Sequence, residues 1–173
     1  MRGWVKTVIV LPISVSAALI LSCDNSKAQQ RGITVQANKS NTQKVERRIA
    51  LVIGNSRYSS SPLRNPVNDA RSISRSLKQV GFEVILKLDA SRREMRRSMI
   101  DFGKRLSKGG VGLFYYAGHG VQAGGENFLI PVDAEIGAEE HVEIESVSLN
   151  QVLGRMGGAK NRLNIVVLDA CRN

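Results

Sequence analysis

Apolar residues in this chain recur at two spacings, and the two alternate along it. Three short runs are almost continuously apolar: residues 49–54 (Ile-Ala-Leu-Val-Ile-Gly), 111–116 (Val-Gly-Leu-Phe-Tyr-Tyr) and 163–168 (Leu-Asn-Ile-Val-Val-Leu). Their length and their β-branched and aromatic content are those of strands buried on both faces. Residues 82–86 (Phe-Glu-Val-Ile-Leu) read as a further strand, and residues 127–133 as a short extended piece that Pro131 confines to an edge or a strand end. Between the runs the spacing is helical. Val67, Ala70, Ile73, Leu77 and Val80 mark a helix over residues 65–80, with Gly81 placed to end it. Ser91 is an N-cap for a helix through Leu106 with Met95, Met99, Phe102 and Leu106 on one stripe, and residues 148–156 form a shorter helix before Gly157 and Gly158. Strands alternating with helices predict an α/β domain: a mostly parallel sheet with helices on both faces.

The chain ahead of this domain is of another kind. Residues 1–22 carry Arg2 and Lys6 before an apolar core, as an export signal peptide does, and are short for a membrane span. Two processing outcomes fit. Ile20-Leu21-Ser22-Cys23 is similar to a bacterial lipoprotein site, which would acylate Cys23 and attach the protein to a membrane, and Ser26-Lys27-Ala28 suits ordinary signal peptidase. Either outcome predicts an exported protein of the cell envelope or periplasm. Residues 23–46 are polar and aperiodic, a tether or linker, which leaves residues 47–173 as the folded domain.

Two of the strands run into reactive residues. Residues 111–116 lead to Ala117-Gly118-His119-Gly120, and residues 163–168 lead to Asp169-Ala170-Cys171-Arg172. A free Cys or a lone His is commonly a core residue. Here both stand at the carboxyl ends of strands, where open parallel sheets place their sites, and they lie about 50 residues apart. That combination predicts a thiol–imidazole pair. Cys23 and Cys171 sit in contexts too different to be expected as a disulfide.

Four stretches in order carry a family resemblance: residues 48–55, residues 63–70 (Leu-Arg-Asn-Pro-Val-Asn-Asp-Ala), residues 115–120 and residues 169–173. With them the segment resembles the caspase-like cysteine peptidases, the metacaspase-like bacterial branch more than the animal caspases. The resemblance implies a caspase-like α/β/α sandwich, lacking its C-terminal strands in the chain as it stands. It implies endopeptidase activity on polypeptides, with His119 and Cys171 as catalytic dyad and the N–H groups of Gly120 and Cys171 as oxyanion donors. It also implies that Asp69 and Asp169 line a substrate pocket selective for Arg or Lys before the scissile bond. The sequence departs from the family pattern at Pro66, where a Cys is usual, and at Ala117, where a Ser is usual. Because the chain stops two residues after Cys171, a catalytically silent remnant or interaction module is the alternative expectation.

Charge and the remaining motifs exclude other classes. The formal net charge of +10 is concentrated at Arg92, Arg93, Arg96, Arg97, Lys104, Arg105 and Lys108. Without interleaved aromatics or a nucleic-acid motif, this reads as a solvated helix face, or as attraction of a tethered protein to an anionic membrane surface, rather than a nucleic-acid surface. No dinucleotide or phosphate-loop glycine pattern is present, and His119, His141 and Cys171 lack metal-ligand spacing, so neither cofactor nor metal is expected. No dense carboxylate loop supports calcium.

Overall fold

The three continuous apolar runs of residues 49–54, 111–116 and 163–168 are strands of one sheet. The computed structural model of the chain describes residues 6–12 and 46–172. In chain order its elements are β1 (Lys6–Pro12), β2 (Arg48–Gly54), α1 (Pro66–Gln79), β3 (Glu83–Leu88), α2 (Arg92–Leu106), β4 (Gly110–Ala123), β5 (Glu126–Leu129), α3 (His141–Glu145), β6 (Val147–Ser148), α4 (Leu149–Gly158) and β7 (Asn161–Arg172). The strand order is β1-β7-β4-β2-β3, with β5 on β4 and β6 on β5. The centre, β7-β4-β2-β3, is parallel, as the alternation of strands and helices predicts. The pairs β1·β7, β4·β5 and β5·β6 are antiparallel, so the whole sheet is mixed.

Helices cover both faces because β2 and β4 present apolar side chains alternately to each. Ile49, Leu51, Ile53, Phe114 and Tyr116 pack under α2 and α4 with Met95, Met99, Phe102 and Leu106. Ala50, Val52, Leu113, Tyr115 and Ala117 pack with Ala70 of α1 on the other face. The stripe expected on α2 is thus its buried face, and its start is a capping box in which Ser91 Oγ accepts from Glu94 N–H while Glu94 Oε2 accepts from Ser91 N–H. Helix α1 ends as predicted: Gly81, at φ 84°, donates to Lys78 O, and Phe82 N–H donates to Leu77 O.

Three features depart from the reading of the sequence. Strand β4 runs seven residues beyond Tyr116, through Gly118-His119-Gly120, because the β5 hairpin pairs with residues 120–123 after β2 has ended opposite Ala117. Helix α3 and strand β6 lie in a stretch with too little periodicity to predict either. Lys6–Pro12, inside the stretch read as an export leader, lies antiparallel along β7 from Lys6 opposite Asp169 to Pro12 opposite Leu163. An apolar, partly β-branched run satisfies an otherwise unpaired sheet edge there. Cys23 lies outside the described residues. Among the described residues no helix is long and apolar enough to cross a membrane.

The turn leaving β2 is fixed tightly. At Gly54 a Cβ would lie 2.5 Å from both Pro66 O and Ala70 Cβ, so glycine alone lets the start of α1 settle on the strand end. Next, Asn55 N–H extends the ladder by donating to Ala117 O at 2.9 Å, and its buried side chain accepts from Ala90 N–H at 2.9 Å and donates to Ile130 O at 3.2 Å. Asp89, at φ 48°, accepts from the N–H groups of Ser56 (2.8 Å) and Arg57 (2.9 Å) and from Arg57 Nε (2.8 Å). Burial alone would raise this carboxyl, but those N–H donors and the guanidinium outweigh it and hold the group below its ordinary 3.8.

Gly54→Ala is expected to destabilise the domain by about 1–3 kcal/mol in chemical denaturation, because strand and helix backbones must separate. Asp89→Asn is expected to cost about 1.5–3 kcal/mol at neutral pH. Since folding lowers the Asp89 pKa, its contribution is full above 3.8 and is lost as pH falls through the lower folded value. Melting temperatures of wild type and Asp89→Asn measured across acid pH should therefore converge; a gap that stays constant would exclude the carboxylate as its source.

Candidate active site

Parallel pairing of β4 with β7 makes His119 and Cys171 cross-strand neighbours, with Ala117 opposite Asp169 and Gly120 opposite Arg172. Neighbouring strands lie about 4.8 Å apart, so imidazole and thiol residues are brought together by backbone register alone. Both stand past Gly54, the last residue of β2, where the parallel part of the sheet opens at its carboxyl edge. His119 is therefore inside a long strand rather than just past a strand end at Tyr116, yet it occupies the carboxyl-edge position that the sequence predicts.

The His119 backbone is held on both sides. Its N–H donates to Tyr58 Oη at 3.0 Å, and its carbonyl accepts from Tyr116 Oη at 2.7 Å and from Ile130 N–H at 3.0 Å. Its ring lies 4.4 Å from the Tyr58 ring, tilted by 56°. Nε2 is 2.7 Å from Ser61 O. A carbonyl can only accept, so Nε2 carries a proton, and whenever the ring is neutral its lone pair is at Nδ1. Burial raises the Tyr58 and Tyr116 phenols and keeps them neutral donors. Gly118 is required beside them, since a Cβ would come within 2.6 Å of Tyr58 Oη and 2.7 Å of Tyr116 Oη.

Gly120 follows from the same pairing. His119 and Ile130 form a hydrogen-bonded position of the antiparallel β4·β5 ladder. Alternation then turns the Gly120 N–H away from β5, toward the β7 side on which Cys171 lies.

The two carboxylates converge on one face. Asp169 is buried, with 6% exposure, and Asp69 is half-buried in the first turn of α1. Their common neighbour is Tyr115, whose phenol is raised first by burial, then by Asp169 and then by Asp69. Tyr115 packs in the core beneath α1, so helix and sheet bring the acids to the face shared by Tyr115, Ala117 and His119. Sequence reasoning missed Tyr58, Ser61, Ile130 and the place of Tyr115 within the field of both acids. The one available signal was Tyr58 itself, a lone aromatic in the polar stretch Asn55-Ser56-Arg57-Tyr58-Ser59. Among the described residues no group of three or more His, Cys, Asp or Glu is placed to hold a metal ion.

Comparison with known proteins identifies the family and the fold. The family model described as the caspase domain matches residues 47–173. Mucosa-associated lymphoid tissue lymphoma translocation protein 1 of Homo sapiens is 36% identical over 126 residues, which span 72% of this chain and 15% of that protein. Its Mus musculus homolog is 35% identical over the same shares. This chain thus spans only a small part of the length of these curated relatives. In fold, a crystal structure of a protein from Geobacter sulfurreducens superposes with a TM-score of 0.57 at 19% identity, covering 72% of this chain and 50% of that one. Fold, matched region and relatives together establish that this chain belongs to the caspase-domain family of cysteine peptidases.

Proposed function

We propose that the domain is an endopeptidase in which Cys171 is the nucleophile and His119 its acid–base partner, cutting after Arg or Lys. The observation that carries this reading is the β4·β7 register that sets His119 against Cys171 while Ser61 O fixes the Nε2 proton. His119 Nδ1 takes the thiol proton, and the thiolate attacks the scissile carbonyl to form a carbon–sulfur bond. The oxyanion is met by the N–H groups of Gly120 and Cys171. Collapse of the tetrahedral species breaks the C–N bond as the imidazolium gives its proton to the leaving amine. Water, deprotonated by the same Nδ1, then hydrolyses the thioester and regenerates thiol and imidazole. No step requires a metal.

Selectivity follows from the acids. A guanidinium or ammonium between Asp169 and Asp69 makes charge-assisted hydrogen bonds in a partly desolvated place, whereas a substrate Asp there meets two like charges. Pro66 supports the start of α1 that carries Asp69, and Ala117 opposite Asp169 keeps the floor small.

Cys171→Ala and His119→Ala are each expected to lower hydrolysis of fluorogenic peptides with Arg before the scissile bond by about 10³-fold or more, with unchanged circular dichroism. Near-normal turnover by either variant would reject the dyad, and a folded wild type that binds such peptides without cutting them would favour an interaction module. Asp169→Ala should lower kcat/KM for Arg substrates by about 30-fold, the equivalent of ~2 kcal/mol, and Asp69→Ala by less. Preference for Asp over Arg before the scissile bond would overturn the pocket assignment.

A further inference from the structure

Where β4 and β5 first meet, one ladder bond is replaced. His119 and Ile130 stand one place beyond Gly120 and Leu129, the first pair of the antiparallel register, and a ladder continued to them would exchange two hydrogen bonds, N–H to O in each direction. One is present, Ile130 N–H to His119 O at 3.0 Å. The other is interrupted by a side chain: His119 N–H donates to Tyr58 Oη at 3.0 Å, and Tyr58 Oη–H donates onward to Ile130 O at 3.1 Å. The hydroxyl fits because it is both donor and acceptor, and because Gly118 has no Cβ to fill the space. Tyr116 Oη lies within donating distance of both His119 O, at 2.7 Å, and Ile130 O, at 2.9 Å, and Asn55 Nδ2 also donates to Ile130 O. The Tyr58 ring meanwhile rests against the imidazole.

We propose that Tyr58 is a positioning residue for His119: its inserted hydroxyl sets the strand backbone at the imidazole, and its ring sets the imidazole plane that Ser61 O completes. This rests on the reading of His119 and Cys171 as a dyad. Tyr58 is tied to the body of the domain, since the loop holding it is fastened by Asp89 to Ser56 and Arg57. Its hydroxyl touches the His119 backbone and not the reacting atoms. Its loss therefore acts on the placement of Nδ1 and on the turnover that depends on it, while the acids that bind the substrate side chain stay in place.

The test is Tyr58→Phe, which keeps the ring and removes the hydroxyl. Turnover of an Arg peptide should fall in kcat by at least tenfold with KM within twofold. Alkylation of Cys171 by iodoacetamide, followed across pH by mass spectrometry of its peptide, should shift its midpoint upward toward that of an ordinary thiol, about 8.5. Phe102→Leu, a core change on the opposite face, controls for general loosening; an equal shift there would overturn the inference. In the unaltered protein, amide exchange supplies a check that needs no variant to fold: the His119 N–H should exchange slowly, and rapid exchange would contradict its bond to Tyr58. The parent reading is scored separately by His119→Ala. If that variant leaves the Cys171 alkylation profile unmoved, the dyad itself fails; if it shifts the profile and Tyr58→Phe does not, only the role of Tyr58 is lost.

Discussion

The fold around the site is governed by the need to pair buried backbone groups where β2 stops. Strand β4 is the central strand, with β7 on one side and β2 on the other, and it outlasts β2 at Ala117. From there its β2-facing N–H and C=O groups would be left unpaired in a buried place, at a cost of about 1–3 kcal/mol each. The chain satisfies them in sequence. Asn55 N–H takes Ala117 O, Tyr58 Oη takes His119 N–H, and Ile130 N–H takes His119 O before the β5 ladder proper begins. The histidine of the site thus stands at a change of partner, where a side-chain hydroxyl has replaced a main-chain acceptor.

The same discontinuity separates the two faces of the sheet. On the face of α1, the close approach at Gly54 seats the first turn of the helix against the strand end and brings Asp69 toward Tyr115 and Asp169. On the other face, α2 and α4 cover the larger apolar core, and α2 exposes Arg93, Arg96, Arg97 and Lys104 to solvent. Arg105 is paired with Asp101 at 2.7 Å and with Glu83, and Arg92 with Glu145 at 3.3 Å; partly exposed pairs of this kind add little stability. A chain of net charge +10 therefore keeps a locally acidic place on one side of its sheet and much of its basic charge on the other. The sheet itself, with the side chains packed on each of its faces, lies between those surfaces, so substitutions on α2 and at the acids are expected to act independently.

Hydrophobic periodicity carried the architecture because each element's pattern was set by one dominant force. Both-face burial makes β2, β4 and β7 continuously apolar, and one-face burial gives α2 its Met95, Met99, Phe102 and Leu106 stripe. Capping is equally local, so Ser91 and Gly81 mark helix ends without any tertiary contact. The positions of His119 and Cys171 at the strand ends were legible because they follow strand patterns directly, and the parallel register that pairs them is the one the alternation of strands and helices implies.

What only the tertiary structure decided is what depends on partners distant in sequence. The length of β4 was hidden because Gly118, His119 and Gly120 have little strand propensity; pairing with β5 and β7 extends the strand through them. Strand β1 exists by virtue of an edge of β7 that the sequence of residues 6–12 does not announce. Tyr58 lies 61 residues before His119 and Ser61 lies 58 before it, and no periodicity links them. Composition and spacing determined which residues could react and on which kind of scaffold. Long-range hydrogen bonding determined which nitrogen of His119 holds its proton, because a tautomer is fixed by the acceptor that the fold places beside the ring.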